Sequence, residues 1–101
     1  MTITGPLCKA ARAIVQVSRT KLARRAGVDV TVIEMFERRL RRPDDATIAT
    51  LQRTLEELGA VFIPEQGSNG AGVRLKFSSS VTDRLRILAD EGGPSSPDAM
   101  P

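Results

Sequence analysis

The stretch SRTKLARRAGVDVTVIEMFER, residues 18–38, decides how this chain folds. Ser18 is a preferred helix N-cap, and Gly27 ends the helix that follows after only two turns. Asp29 then caps a second helix of similar length. Apolar residues recur at helical spacing on both sides of the glycine: Leu22, Ala23, Ala26, Val32, Ile33 and Phe36. The stretch therefore predicts two short helices joined by a tight turn.

One further helix is predicted on each side of this pair. The earlier one starts at residues 4–6 (TGP), with the threonine or the glycine as cap, and runs to about Gln16. The later one starts with Asp44 or Asp45 as cap and closes at Gly59. Candidate core residues of the four helices are Ile14, Leu22, Ile33, Phe36, Leu51 and Leu55.

After the fourth helix the apolar pattern changes. Residues 61–63 and 73–77 read as short strands, and the Gly-rich segment between them favours an antiparallel hairpin. The expected organisation is a four-helix unit over residues 1–59, a β-hairpin over 60–78, a short extra helix over 79–91 as a candidate dimerisation element, and a disordered tail over 92–101. The fold class is thus mainly α, with four to five helices and a C-terminal hairpin.

Charge is distributed unevenly along the chain. Residues 1–43 hold ten Lys/Arg and three Asp/Glu, a net charge of +7, whereas residues 44–101 carry −4. A block this basic either forms a solvated face or attracts a polyanion such as duplex DNA.

Composition argues against an enzyme, a metal site and a bound cofactor. The chain has no histidine and only one cysteine, so it lacks the usual bases and zinc ligands. Cys8 is expected to be a small, reduced residue that is buried or half-buried. Paired carboxylates such as Asp44 and Asp45 adjoin helix caps rather than a catalytic base. Neither a signal-peptide pattern nor a membrane span is apparent, so a cytoplasmic location is expected.

The helical pair also resembles the DNA-binding motif of a known family. The residues that carry the resemblance are Ser18, Leu22, Ala23, Ala26, Gly27, Val28, Ile33, Phe36, Glu37 and Arg38. They are similar to the motif of the lambda-repressor-like (Xre-type) helix-turn-helix transcriptional regulators, and the similarity covers residues 7–58. The resemblance implies a lambda-repressor-like helix-turn-helix domain whose second helix lies in the major groove.

Carried over by position, the resemblance implies a set of DNA contacts. Val30, Thr31, Glu34 and Met35 occupy places that usually face base edges, and Arg19 falls where the family often has a glutamine that touches DNA. Arg38, Arg41 and Arg42 suit phosphates. Val30 and Met35 cannot make the paired hydrogen bonds of a glutamine, which leaves thymine methyl contacts, Thr31 and an arginine to guanine. Glu34 accepts from a cytosine or pairs with Arg38, and Glu37 is expected to pair with an arginine.

Two functions remain open from the sequence. The first is a transcriptional regulator, a repressor or autoregulator that binds a palindromic operator as a homodimer. The second is an antitoxin or another interaction protein, which binds DNA with its N-terminal half and a partner protein through residues 60–91.

Overall fold

The computed structural model describes residues 1–78. In that range the chain forms four helices and then two strands: α1 (Gly5–Val15), α2 (Arg19–Ala26), α3 (Val30–Glu37), α4 (Asp45–Glu57), β1 (Ala60–Ile63) and β2 (Gly72–Leu75). The protein is therefore mostly helical with a two-stranded hairpin, as predicted. None of the helices in this range is long and apolar enough to cross a membrane. The extra helix and the tail predicted over 79–101 lie outside the described residues.

Each helix begins at a capping side chain. The side chains of Thr4, Ser18, Asp29 and Asp44 each accept a hydrogen bond from a backbone N–H in the first turn, at 3.3, 3.0, 2.8 and 2.8 Å. Such a bond satisfies one of the N–H groups that have no partner within the helix. The caps at Ser18 and Asp29 are confirmed, and the two open alternatives are decided in favour of Thr4 and Asp44.

A single hydrophobic core, mainly aliphatic, joins the four helices and β1. Five of the six candidate core residues are buried, but Ile14 is only half-buried. The reason is that Ala11 and Val15 form the buried face of α1, and Ile14 lies at the edge of that face. Val32 is likewise half-buried, beside the buried Ile33. The buried apolar residues are Ile3, Cys8, Ala11, Val15, Val17, Leu22, Ala23, Ile33, Phe36, Ile48, Leu51, Leu55, Ala60 and Phe62.

The two strands form the predicted antiparallel hairpin, with Ala60 opposite Leu75 and Phe62 opposite Val73. These four side chains share the face that packs on the helical core. β2 ends at Leu75, two residues earlier than predicted, because its partner strand begins only at Ala60. The single bond from the Lys76 N–H to the Gly59 carbonyl, 2.8 Å long, closes the ladder.

The start of α1 lies against the end of α3 at Gly5. A Cβ atom at this position would be 2.0 Å from the carbonyl oxygen of Phe36, far inside any van der Waals contact. The approach of the two helices therefore depends on a residue without a side chain.

Candidate nucleic-acid interface

Helix α3 buries one side and exposes the other. Ile33 and Phe36 are buried in the core, whereas Thr31 and Arg38 are exposed and Met35 is half-buried. Because Thr31, Met35 and Arg38 are spaced by four and three residues, they lie on one face of the helix, away from the core. The structure thus places three of the predicted DNA contacts on the outer face of α3.

The turn before α3 fixes where the helix starts. Gly27 has a φ of 69°, in the left-handed region that favours glycine, and the N–H groups of Gly27 and Val28 both donate to the Ala23 carbonyl. Two residues later the Asp29 carboxylate accepts a hydrogen bond from the Thr31 N–H at 2.8 Å. The chain therefore passes from α2 into α3 through one defined turn, and α2 and α3 pack against each other.

The other predicted base-facing residues lie at the edge of this face. Val30 is 41% exposed, so its side chain is accessible to a ligand. Glu34 forms the expected ion pair with Arg38, with 3.5 Å between Oε1 and Nη1. Both side chains keep about half of their surface exposed, so this pair contributes only about 0.3–0.5 kcal/mol. Either residue can therefore leave this ion pair and contact a ligand with little loss of free energy.

The segment after α3 folds back against the last turn of that helix. Arg39 has a φ of 61°, and the N–H groups of Leu40 and Arg41 both donate to the Met35 carbonyl, at 2.9 and 3.3 Å. Glycine is the usual residue at such a left-handed position, so Arg39 holds a conformation that costs some energy. The result is that Arg41 and Arg42 lie beside the outer face of α3.

Arg41 and Arg42 form part of a concavity of about 600 Å³ between α3 and the start of α4. Its lining residues are Thr31, Val32, Met35, Arg41, Arg42, Pro43, Asp44 and Thr47. Arg42 also pairs with Asp45, with 2.7 Å between Nη2 and Oδ1. That pair is exposed on both sides, so solvent and salt weaken it. We call this surface the α3–α4 groove.

Behind the outer face, the end of α3 is anchored by a buried carboxylate. Glu37 accepts two hydrogen bonds from Arg12, each 2.7 Å long, and one of 2.9 Å from the Nε of Arg19. The Cys8 thiol also donates to Glu37 at 3.4 Å, and Arg12 reaches the Val17 carbonyl at 3.1 Å. The expectation that Glu37 pairs with an arginine is confirmed, with partners on both α1 and α2.

We call Glu37, Arg12, Arg19 and Cys8 the anchor, and their contacts change the pKa values of several of these groups. Burial by itself raises the pKa of Glu37, but the hydrogen bonds from Arg12 and Arg19 and the charge of Arg12 outweigh it, so the net pKa lies below the ordinary value. The hydrogen bond to Glu37 raises the pKa of Arg12. Burial, followed by the nearby charge of Glu37, raises the pKa of the Cys8 thiol to about 12. At neutral pH the anchor therefore holds one carboxylate, two guanidinium groups and a neutral thiol.

Arg19 is placed differently from the other predicted DNA contacts. Its Nε is bound to Glu37, yet a third of its side chain remains exposed at the start of α2. Arg19 therefore lies between the buried anchor and the surface, and does not project freely from α2. Further along α2, Lys21, Arg24 and Arg25 are exposed, and none of them forms an ion pair with another residue in 1–78.

The structure thus brings four of the eight predicted site residues together in the α3–α4 groove: Thr31, Met35, Arg41 and Arg42. Val30, Glu34 and Arg38 lie elsewhere on the exposed side of α3, and Arg19 joins the anchor. Sequence reasoning missed Val32 as a lining residue because its helical spacing grouped it with the apolar stripe of Ile33 and Phe36. It also missed the role of Arg12, which is 25 positions away from Glu37 and carries no local signal.

Comparison with known proteins adds no further identification. No protein-family model matches this chain, and no curated protein matches it. Within residues 1–78, no group of three or more acidic or cysteine side chains is arranged to hold a metal ion. The function is therefore inferred from the residues of this chain and their geometry.

Proposed function

We propose that this protein is a sequence-specific transcriptional regulator that binds duplex DNA through a lambda-repressor-like helix-turn-helix. In this proposal α2 and α3 are the two helices of the motif, and α3 enters the major groove. The observation that carries the proposal is the position of Arg41 and Arg42 beside the exposed Thr31 and Met35 surface. A helix face flanked by cations matches a duplex, in which base edges lie inside a groove bordered by phosphates.

The buried anchor supports this role because it fixes α3 before any ligand arrives. Glu37, at the last turn of α3, is tied to α1 through Arg12 and to α2 through Arg19. The Asp29 cap holds the other end of the helix. A helix that is already ordered loses little conformational freedom on binding, and this favours affinity.

The proposal divides the contacts into two groups. Val30, Thr31, Glu34 and Met35 face base edges and select the sequence, because only groove contacts carry sequence information. Arg19, Arg38, Arg41 and Arg42 bind phosphates and supply affinity that does not depend on sequence. The +7 charge of residues 1–43 adds a long-range attraction to DNA.

A homodimer that represses from a palindromic operator completes the proposal, with the cytoplasm as its place of action. Two copies related by a two-fold axis would present two recognition helices to half-sites about one helical turn apart. The hairpin provides a surface for pairing, since Ile63 on its outer side is 41% exposed.

The same exposed hairpin favours a second candidate, a regulator that also binds a partner protein through residues 60–91, as an antitoxin does. The two candidates differ in what covers Ile63: a second copy of this chain, or a different protein. They share the proposed DNA-binding half.

Selection of duplexes from a random pool, followed by affinity measurements, tests the DNA-binding proposal. The selected duplex is expected to bind at least a hundredfold more tightly than random duplex, and Thr31→Ala is expected to narrow that ratio by about tenfold. Arg41→Ala should lower the affinity for both duplexes by the same factor. Arg53→Ala, a matched loss of an exposed charge on α4, should change neither. A protein that binds no duplex, or an unchanged preference in Thr31→Ala together with Met35→Ala, would refute the assignment of α3.

A further inference from the structure

The exposed side of α3 is chemically unusual for a helix that reads DNA. The helix sequence is VTVIEMFE, which contains no amide, lysine or arginine side chain. Glu34 is its one exposed carboxylate, and Arg38 already pairs with it. What α3 presents toward the α3–α4 groove is therefore a methyl-rich surface made by Thr31, Val32 and Met35.

The Val32 and Met35 side chains can recognise only one feature of the major groove. Three of the four bases are distinguished there by hydrogen-bond donors and acceptors, which a valine or a methionine cannot satisfy. Thymine alone among the standard bases also carries an apolar group, the C5 methyl, on its groove edge. The flexible, polarisable side chain of Met35 can adapt its contact to such a group.

The lining of the α3–α4 groove combines the two kinds of group that one strand of a duplex calls for. Val32, Met35 and Pro43 contribute apolar surface, and Arg41 and Arg42 bring positive charge to the same concavity. The Asp44 carboxylate is also part of the lining, but it is engaged as the cap of α4 by the Thr47 N–H. Apolar surface together with two guanidinium groups complements a base methyl beside a phosphate. The +7 charge of residues 1–43 favours a polyanion such as a duplex as the occupant of this groove.

We infer that the α3–α4 groove takes the C5 methyl of a thymine against Met35 and Val32, with the neighbouring phosphate on Arg41 or Arg42. This inference rests on the proposed function and narrows it. Sequence selection by this protein depends on thymine methyl groups more than on hydrogen bonds to base edges. The operator half-site accordingly contains at least one thymine whose methyl group sets the affinity.

Replacement of thymine by deoxyuridine tests this directly, since it removes the methyl group and leaves base pairing intact. In the selected duplex, each thymine is replaced in turn, and the affinity of the full chain is measured. At one or two positions per half-site the affinity should fall about fourfold, the value of one methyl group taken out of water. Met35→Ala should bind both forms of the duplex equally. Met35→Leu keeps the apolar volume and should retain the discrimination. Arg53→Ala should retain it as well.

The outcomes separate this inference from the proposal beneath it. Sequence-specific binding that is indifferent to deoxyuridine at every position would overturn methyl recognition and leave the DNA-binding function standing. Binding to no duplex would overturn both. The inference would also be overturned if the wild type were an oligomer and Met35→Ala a monomer, because this face would then be assigned to protein contact. Met35 is half-exposed, so an unchanged thermal unfolding midpoint shows that each variant is folded.

Discussion

Arg12 on α1 and Glu37 at the end of α3, 25 positions apart in the chain, form a bidentate ion pair with two bonds of 2.7 Å. The Glu37 side chain has no solvent exposure, and that of Arg12 has 14%. Arg19 adds a second guanidinium to the same carboxylate. Together, Arg12, Arg19 and Glu37 join three helices at one point and hold the proposed recognition helix in place.

Glu37→Gln should destabilise the protein strongly, because it leaves the guanidinium of Arg12 largely buried without a counter-charge. The expected loss in free energy of unfolding at neutral pH is about 3 kcal/mol, measured by urea denaturation. Since the folded-state pKa of Glu37 is lowered, its contribution is present above the ordinary value of 4.5 and is lost as the pH falls through the folded pKa. The wild type and Glu37→Gln should therefore converge in stability under acid.

The control is Glu34→Gln on the same helix, which removes an exposed pair and should cost no more than about 0.5 kcal/mol. Two results would show that the anchor does not act as an ion pair. One is an equal loss in free energy of unfolding in the two variants, and the other is a difference in stability between the wild type and Glu37→Gln that persists in acid.

The thiol of Cys8 should be inert in the folded protein. Burial and the charge of Glu37 raise its pKa to about 12, so almost no reactive thiolate forms at neutral pH. Because this is the single cysteine of the chain, labelling with a chromogenic disulfide reports on it alone. The labelling rate is expected to follow the unfolded population, rising with urea and rising further in Glu37→Gln. Labelling as fast in native buffer as in denaturant would contradict the burial of this side chain.

Gly5→Ala should destabilise the protein by about 1–3 kcal/mol, the usual cost of overpacking, because the new Cβ would overlap the Phe36 carbonyl oxygen. The shift falls on the end of α3, so duplex affinity should decrease as well. Gly70→Ala is the matched control, since a Cβ there meets no atom within 4 Å. Thermal unfolding and duplex titration of the two variants check this. If Gly5→Ala changed neither the stability nor the duplex affinity, α1 and α3 would be shown to separate without a cost in free energy.

Pairing of two copies through the hairpin predicts an effect of Ile63→Ser on association. The full chain should sediment as a dimer at tens of micromolar, and Ile63→Ser should shift it toward monomer with little loss of stability, because the side chain is already 41% exposed. Leu40→Ser, at the more exposed Leu40 in the segment between α3 and α4, should leave the dimer intact. A wild-type chain that sediments as a monomer would remove the dimer from the proposal.

The local features of the fold could be predicted from the sequence, and the tertiary ones could not. Ser18 and Asp29 were predictable as caps because a cap is decided by a side chain and the next three residues. The ion pair between Glu34 and Arg38 follows from helical spacing in the same way. The partnership of Arg12 with Glu37 depends on how α1 packs against α3, and no pattern along the chain encodes that distance.

The candidate site shows the same division. The family resemblance implied Thr31, Met35 and Arg38 as contacts, and the structure has all three on one side of α3. The α3–α4 groove could not be predicted from the sequence. It depends on the left-handed backbone conformation of Arg39, which turns the chain back toward α3, and on the partial exposure of Val32. Arg19 was expected at the DNA surface, and its bond to Glu37 could not be foreseen from its place at the start of α2.

The salt dependence of duplex binding tests the central claim most directly. With four arginines per subunit on phosphates, a plot of log affinity against log salt should have a slope of about −3 to −4 for each subunit, since each phosphate contributes about −0.9. Arg41→Ala should make the slope shallower by about 1 for each subunit, whereas Arg53→Ala should leave it unchanged. Affinity that does not change between about 50 and 200 mM salt would contradict DNA binding by this face.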